Sequence, residues 1–196
     1  MKTYELKGEV RDDFGKKAAR SFRGEGLVPC VVYGGKDEKN LNFIVKNSDI
    51  RNLIYTPEVF LVNLVLDGAE PMMAILKEVQ FHPVKDNVLH IDFLHVFPDV
   101  PVVVKLPVRL TGLAAGVKSG GKLSLDLRNL KVKALAEKLP QELVVDVEKL
   151  ELGKSIQVGE LNFEGLEILT PKNAVVCRVQ LTRAARGAAA AATKAE

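Results

Sequence analysis

Short runs of β-branched and other apolar residues, separated by turn-forming residues, dominate this sequence. One of them, residues 27–34, leads into Gly34-Gly35, a pair that is typical of a hairpin turn. Runs of the same kind in the first half cover residues 4–11, 41–46, 59–66, 72–81 and 88–97. A chain built this way buries its apolar side chains by pairing many short strands, so the pattern predicts a β domain.

Two helices are predicted to interrupt these strands. The first covers residues 16–24 and ends at Gly24, with Gly26 close behind it. The second begins at Asn47 or Ser48, because either side chain is a good N-cap, and runs to about Tyr55. The fold class predicted for this half is therefore mainly β with a few short helices.

The chain changes character after residue 97. Pro98 and Pro101 bracket a predicted hinge. Beyond it, further strand candidates cover residues 102–110, 122–127, 130–135, 142–147, 155–158 and 174–182. Short strands spaced by roughly 8–12 residues are typical of a β sandwich or roll. We expect three parts: a β domain over residues 1–97, a second β domain over residues 98–183 and a disordered Ala-rich tail over residues 184–196.

Composition and hydropathy exclude several classes of protein. Hydrophobic residues make up 47% of the 196 residues, which excludes a wholly disordered chain. No run approaches the ~18 apolar residues of a membrane-spanning helix, and the first residues lack the apolar core of a signal peptide. We therefore expect a cytoplasmic protein without a membrane partner. Cys30 and Cys177 lie in strand runs far apart, which favours reduced core thiols over a disulfide.

The net charge of +3 is small, so its placement along the chain matters more than its size. Residues 11–23 alone carry five cations and two aspartates, which equals that surplus. On a helix, Lys16, Arg20 and Arg23 share one face, and such a face suits contacts with nucleic-acid phosphates. An ordinary solvated helix face is the alternative interpretation.

A second polar cluster lies within residues 79–95. Residues two apart in a strand share a face, so His90 and Asp92 project together, and Gln80 and His82 form a similar pair one strand earlier. These side chains favour either a recognition surface or an ordinary satisfied polar pair. A metal-dependent hydrolase that uses His82, His90 and Asp92 is a further hypothesis, because imidazole and carboxylate groups bind zinc.

Other features of the sequence weigh against a metal site and against catalysis. His95 falls on the opposite strand face from His90, and no cysteine is close to them in sequence. The sequence also contains no nucleophile elbow, no phosphate-binding glycine loop before a helix and no His-Glu-x-x-His motif. We therefore expect no catalytic residue, no metal, no cofactor and no small-molecule substrate.

Five motifs of the first half occur together and in an order that is known from one protein family. They are Glu9-Val-Arg-x-x-x-Gly-Lys16, Ala19-Arg-x-x-Arg23, Val28-Pro-x-x-Val-Tyr-Gly-Gly35, Val79-Gln-x-His-Pro83 and Leu89-His-Ile-Asp-Phe93. In these motifs the chain resembles the bacterial large-subunit ribosomal protein L-twenty-five, in the long form also called Ctc or general stress protein. The second half resembles the C-terminal β domain of that family, so the resemblance covers about residues 2–182.

The resemblance implies a six- or seven-stranded, barrel-like N-terminal domain that binds 5S ribosomal RNA. Binding is at loop E of that RNA, in the central protuberance of the large subunit, with neighbouring ribosomal proteins as further partners. The matching positions carry over as RNA contacts: Arg11, Lys16, Arg20 and Arg23 toward phosphates and grooves, and Tyr33, Gln80, His90 and Asp92 on the sheet surface.

The chain departs from the family pattern at three positions. Phe81 stands where many relatives have a basic residue, and Ser21 and Phe22 stand where relatives often have an arginine beside Arg20. The expected function is that of a structural, non-catalytic RNA-binding protein of the ribosome. The alternative is a stress-linked protein–protein adaptor with incidental RNA contact.

Overall fold

The computed structural model describes residues 2–34 and 40–182. These residues form two compact units. The described parts of residues 1–102 and 135–141 make up one unit, and those of residues 103–134 and 142–196 make up the other. The predicted Ala-rich tail and Gly35 of the predicted hairpin turn lie outside the described residues. The predicted domain boundary after residue 97 stays a prediction.

The first unit is built around a closed barrel of six strands, which confirms the predicted barrel-like fold. Two of its strand pairs, β1 with β4 and β2 with β6, are parallel, and the other four pairs are antiparallel. Around the barrel the order is β1-β3-β2-β6-β5-β4, which places β1 opposite β6. The strands are β1 (Thr3–Val10), β2 (Leu27–Tyr33), β3 (Leu41–Lys46), β4 (Leu61–Asp67), β5 (Met72–Phe81) and β6 (Val88–His95).

Alternating side chains of these strands fill the barrel interior. Phe43 and Phe93 are fully buried there, with their ring centroids 5.7 Å apart. Leu6, Leu64 and Ile91 are buried in the same cluster. Because successive residues of a strand point to opposite faces, the neighbours of these residues point outward, and the polar side chains of β6 stand on the outer wall.

The predicted first helix is confirmed as α1 (Lys16–Gly24). It begins after Gly15, whose φ of 97° is a backbone conformation that glycine adopts readily. The predicted second helix is wrong in its start. Only Arg51–Ile54 is helical (α2), and its N-cap residue is Ile50, which makes no side-chain cap hydrogen bond.

The physical reason for the shorter second helix lies in its first residues. The Ser48 hydroxyl donates to the Asp49 carboxylate instead of capping a helix, at 2.6 Å. Ile50 and Leu53 are buried and belong to the barrel core, so tertiary packing fixes this segment more strongly than the capping preference does. The strand after it also begins later than predicted, at Leu61.

The second unit consists of two small sheets, which confirms the prediction of a second β domain. A four-stranded sheet has the order β10-β7-β9-β12, and a three-stranded sheet has the order β11-β13-β8. The strands are β7 (Val102–Thr111), β8 (Lys122–Leu125), β9 (Asn129–Ala134), β10 (Leu143–Asp146), β11 (Ser155–Gln157), β12 (Glu167–Ile168) and β13 (Val175–Gln180). Sequence reasoning missed the two-residue β12 and the single helical turn α3 (Ala115–Lys118).

Both cysteines are buried and free, as expected from their positions in strand runs. Cys30 lies in the barrel interior, and Cys177 lies on β13. Across the part of the chain that the structure describes, no helix is long and apolar enough to cross a membrane.

Candidate nucleic-acid interface

The outer faces of β2, β6 and β5 form a polar wall, which we define by Tyr33, Glu78, Gln80, His90 and Asp92. His90 Nδ1 and Asp92 Oδ1 are 2.7 Å apart, so the predicted pairing of these two side chains is confirmed. The exposed fraction of the side chain is 24% for His90 and 25% for Asp92. The pair is therefore held in one orientation while its remaining polar atoms can face a ligand.

The neighbouring strand β5 adds two polar groups to this pair. Gln80 lies directly across from His90, and Glu78 lies directly across from Asp92. The register of β5 shifts between Leu76 and Glu78, which brings Glu78 opposite Asp92. Glu78 was not predicted from the sequence, although it lies two residues before Gln80 and so shares a strand face with it.

Tyr33 completes the wall from the end of β2. The pKa of its phenol is raised, first by burial and then by the negative charges of Asp92 and Glu78. The strand register places these groups near one another: Tyr33 lies across from Leu94, two residues from Asp92, and Asp92 lies across from Glu78. A phenol with a raised pKa stays protonated at neutral pH, so Tyr33 can donate a hydrogen bond beside two acceptors.

Helix α1 brings the predicted cations next to this wall. Lys16 and Arg20 are exposed, whereas Ala19 and Phe22 are half-buried. Arg23 Nε donates to the Leu89 carbonyl oxygen at 3.0 Å, which ties the end of the helix to β6 beside His90. A guanidinium group has five N–H donors, so Arg23 keeps most of them available.

Arg11 extends from the end of β1. Its backbone N–H donates to the Asn42 carbonyl oxygen at 3.0 Å, and its guanidinium group lies 5.7 Å from the ring centroid of Phe14. Burial raises the pKa of the Cys30 thiol, while the positive charge of Arg11 lowers it and the negative charge of Asp92 raises it.

His82 does not form the predicted pair with Gln80. It lies beyond the end of β5, after a second register shift, and its Nδ1 accepts hydrogen bonds from the backbone N–H groups of Val84 and Lys85, each at 3.2 Å. Within residues 2–34 and 40–182, no group of three or more His, Cys, Asp or Glu side chains is arranged to hold a metal ion. The geometry gives the hydrolase hypothesis no support.

Sequence comparisons match both halves of the chain to ribosomal protein families. Residues 6–93 match the ribosomal L25p family, and residues 101–183 match the C-terminal domain of ribosomal protein TL5. The chain is similar to the large ribosomal subunit protein bL25 of Porphyromonas gingivalis, with 60% identity over 96% of this chain and 98% of that protein. It is also similar to the bL25 proteins of Phocaeicola vulgatus (54% identity, 99% of this chain and 100% of that protein) and Bacteroides fragilis (52% identity, 99% and 100%). The chain belongs to the ribosomal L25p family.

Proposed function

We propose that this ribosomal protein binds 5S rRNA at loop E, in the central protuberance of the large subunit, through the polar wall and helix α1. As a member of its family, the chain is a structural ribosomal protein of the cytoplasmic ribosome and not an enzyme. One observation carries the proposal: the hydrogen-bonded His90–Asp92 pair and its polar neighbours on β5 lie beside a helix whose cations have no carboxylate partner among the described residues.

The two parts of this surface suit different parts of an RNA. Lys16, Arg20 and Arg23 suit phosphates, and such contacts position a protein on the RNA without identifying its bases. The wall suits base edges, because it presents several side-chain donors and acceptors and the His90–Asp92 hydrogen bond orients one of them. Irregularly paired RNA exposes those edges to a protein, whereas the deep major groove of a regular A-form helix does not.

The two carboxylates of the wall favour base recognition over simple charge attraction. Nearby phosphates repel Asp92 and Glu78, so their presence on a binding surface requires hydrogen-bond donors on the RNA. Such donors are the Watson–Crick edge of guanine, the amino groups of adenine and cytosine, and the 2′-hydroxyl. His90 holds the Asp92 carboxylate at 2.7 Å and so fixes the direction from which it accepts.

The substitution Asp92→Ala tests this role in the full-length chain. We expect it to weaken 5S rRNA binding by roughly 1–3 kcal/mol, the scale of one good base contact. The slope of log affinity against log salt should stay unchanged, because no cation that releases counterions is removed. The matched control is Asp67→Ala, at the exposed end of β4, which should bind as the unmodified chain does.

A 5S rRNA whose loop E is replaced by regular base pairs provides the control on the RNA side. The unmodified chain should prefer intact 5S rRNA, and Asp92→Ala should lose most of that preference. If the chain binds both RNAs equally, or if Asp92→Ala binds intact 5S rRNA as tightly as the unmodified chain, the wall is not a recognition surface. Melting temperatures of the same preparations separate a loss of binding from a loss of folding.

A further inference from the structure

A groove lies beside the polar wall, between α1 and the turn that joins β5 to β6. We call it the α1 groove; its volume is about 480 Å³, and its polar lining consists of Arg20, Arg23, Asn47, His82, Lys85 and Asn87. Pockets that hold small molecules have volumes of roughly 300–1,000 Å³, so the groove is large enough for one nucleotide.

The charge of the groove is one-sided. Its lining contains three cations, Arg20, Arg23 and Lys85, and no carboxylate. Glu25 and Asp86, which neighbour lining residues in the sequence, do not line it. A concave surface with cations alone raises the local concentration of anions, so the groove suits a phosphate better than a cationic or neutral group.

The two walls of the groove are held in place by different contacts. On the helix side, Arg23 Nε is bonded to the Leu89 carbonyl oxygen. On the other side, the His82 backbone N–H donates to the Asn87 carbonyl oxygen at 2.8 Å, and His82 Nδ1 accepts from the backbone N–H groups of Val84 and Lys85. His82 therefore holds the backbone of the turn that carries Lys85, so the turn requires little backbone ordering when an anion binds.

We infer that the α1 groove seats one nucleotide of the bound RNA. Lys85, Arg20 and the free N–H groups of Arg23 contact its phosphate, and the amides of Asn47 and Asn87 face its ribose or base. This inference rests on the proposed function, and it adds Lys85 and Asn87 to the interface as contacts and His82 as a positioning residue.

Removing the Lys85 charge is the direct test, with the full-length chain and 5S rRNA over a series of salt concentrations. For Lys85→Ala, we expect the slope of log affinity against log salt to fall by roughly 0.7–0.9, the value for one phosphate contact. With equal affinities at ~1 M salt, this slope change corresponds to an affinity roughly five- to eightfold lower at ~0.1 M salt. The control is Lys7→Ala on β1, on the opposite side of the barrel, which should change neither quantity.

Three further variants test the other assigned roles. Asn87→Ala should lower affinity without changing the salt slope, because an amide releases no counterion. His82→Asn keeps a side-chain acceptor for the turn and should retain binding, whereas His82→Ala should behave like Lys85→Ala. If His82→Ala fails to fold, Lys85→Ala still decides the question, because Lys85 is an exposed residue of the turn.

The outcomes separate this inference from the proposed function. If the unmodified chain prefers intact 5S rRNA but Lys85→Ala and Lys7→Ala have equal affinities and slopes, the groove does not seat a phosphate and only this inference is overturned. If the unmodified chain shows no preference for 5S rRNA, the proposed function fails first.

Discussion

Helix α1 of the first unit and the strands of the second unit carry their cations in different ways. In the second unit, three cations on strands of the two sheets lie within ion-pair distance of carboxylates: Arg109 with Glu142 at 3.1 Å, Lys133 with Glu167 at 3.8 Å and Arg178 with Asp126 at 3.0 Å. In the first unit, Lys16, Lys17 and Arg20 of α1 have no carboxylate partner within the described residues. The contrast concerns α1 and not the whole first unit, because Lys2 and Lys7 of that unit also lie within ion-pair distance of carboxylates, Glu58 at 2.7 Å and Glu5 at 3.5 Å.

The histidines and tyrosines of the chain are also divided unevenly. All three histidines and all three tyrosines of the chain lie in its first 97 residues. The polar wall uses His90 and Tyr33 from that set, together with two carboxylates and an amide. Under the proposed function, RNA recognition depends on these groups and on the unpaired cations of α1, so changes in the second unit serve as controls.

The largest effect is expected from a substitution that leaves a cavity in the barrel core. Phe93 is fully buried, so Phe93→Ala should cost roughly 3–5 kcal/mol of the free energy of unfolding and reduce 5S rRNA binding with it. The matched change in the second unit is Leu130→Ala, also at a fully buried position, which should cost roughly 2–5 kcal/mol there. We expect Leu130→Ala to leave RNA affinity intact.

Tyrosine fluorescence makes this comparison specific, because the chain has no tryptophan and its tyrosines, Tyr4, Tyr33 and Tyr55, report on the first unit alone. Denaturant titrations followed by this signal should shift to lower midpoints for Phe93→Ala and stay in place for Leu130→Ala. Loss of RNA binding in Leu130→Ala with an unshifted tyrosine transition would show that the second unit contributes to the interface.

The next largest effect concerns the charge of α1. Lys16→Ala and Arg20→Ala should each lower the slope of log affinity against log salt by roughly one unit, and the double variant by roughly two. The control is the double variant Arg109→Ala and Lys133→Ala in the second unit, whose cations are already paired with carboxylates. Equal slopes for the two double variants would contradict the contrast between free and paired cations.

How far the sequence predicts this surface depends on how local each feature is. The strand period of two places His90 beside Asp92, and the charge pattern places the cations on α1, because both features depend on neighbours in one element. Glu78 and His82 are different. A register shift decides that Glu78 faces Asp92, and a turn containing Asp86 at a φ of 52° decides that His82 bonds the backbone.

Local sequence patterns likewise do not predict features that depend on contacts between distant parts of the chain. The start of α2 follows from the burial of Ile50 in the barrel and not from the capping preference of Ser48. The α1 groove exists because α1 and the β5–β6 turn, about 60 residues apart in the sequence, are folded beside one another. Charge and hydropathy patterns contain no information on that juxtaposition.

The smallest expected effect is a pH dependence of the stability of the first unit. Burial lowers the pKa of His95, whose ring lies 4.2 Å from that of Phe97. The unfolded chain therefore takes up a proton at His95 more readily than the folded chain. Stability should be fully present above the unfolded pKa of about 6.5 and should fall as the pH drops below it toward the lowered folded value.

Tyrosine-detected denaturation at a series of pH values measures this dependence. The variant His95→Gln, which cannot titrate, should show a weaker loss of stability on acidification in that range. If the variant and the unmodified chain lose stability equally on acidification, protonation of His95 does not contribute to that loss.

The central claim is that residues 1–97, which contain the barrel and α1, are sufficient for 5S rRNA recognition. The most direct measurement compares the fragment 1–97 with the full-length chain in binding to 5S rRNA, with tyrosine-detected denaturation to establish that the fragment is folded. Every proposed RNA contact lies within this fragment, and domains of this size commonly fold on their own, so we predict most of the full-length affinity and the same salt slope. A folded fragment that does not bind 5S rRNA would contradict the account.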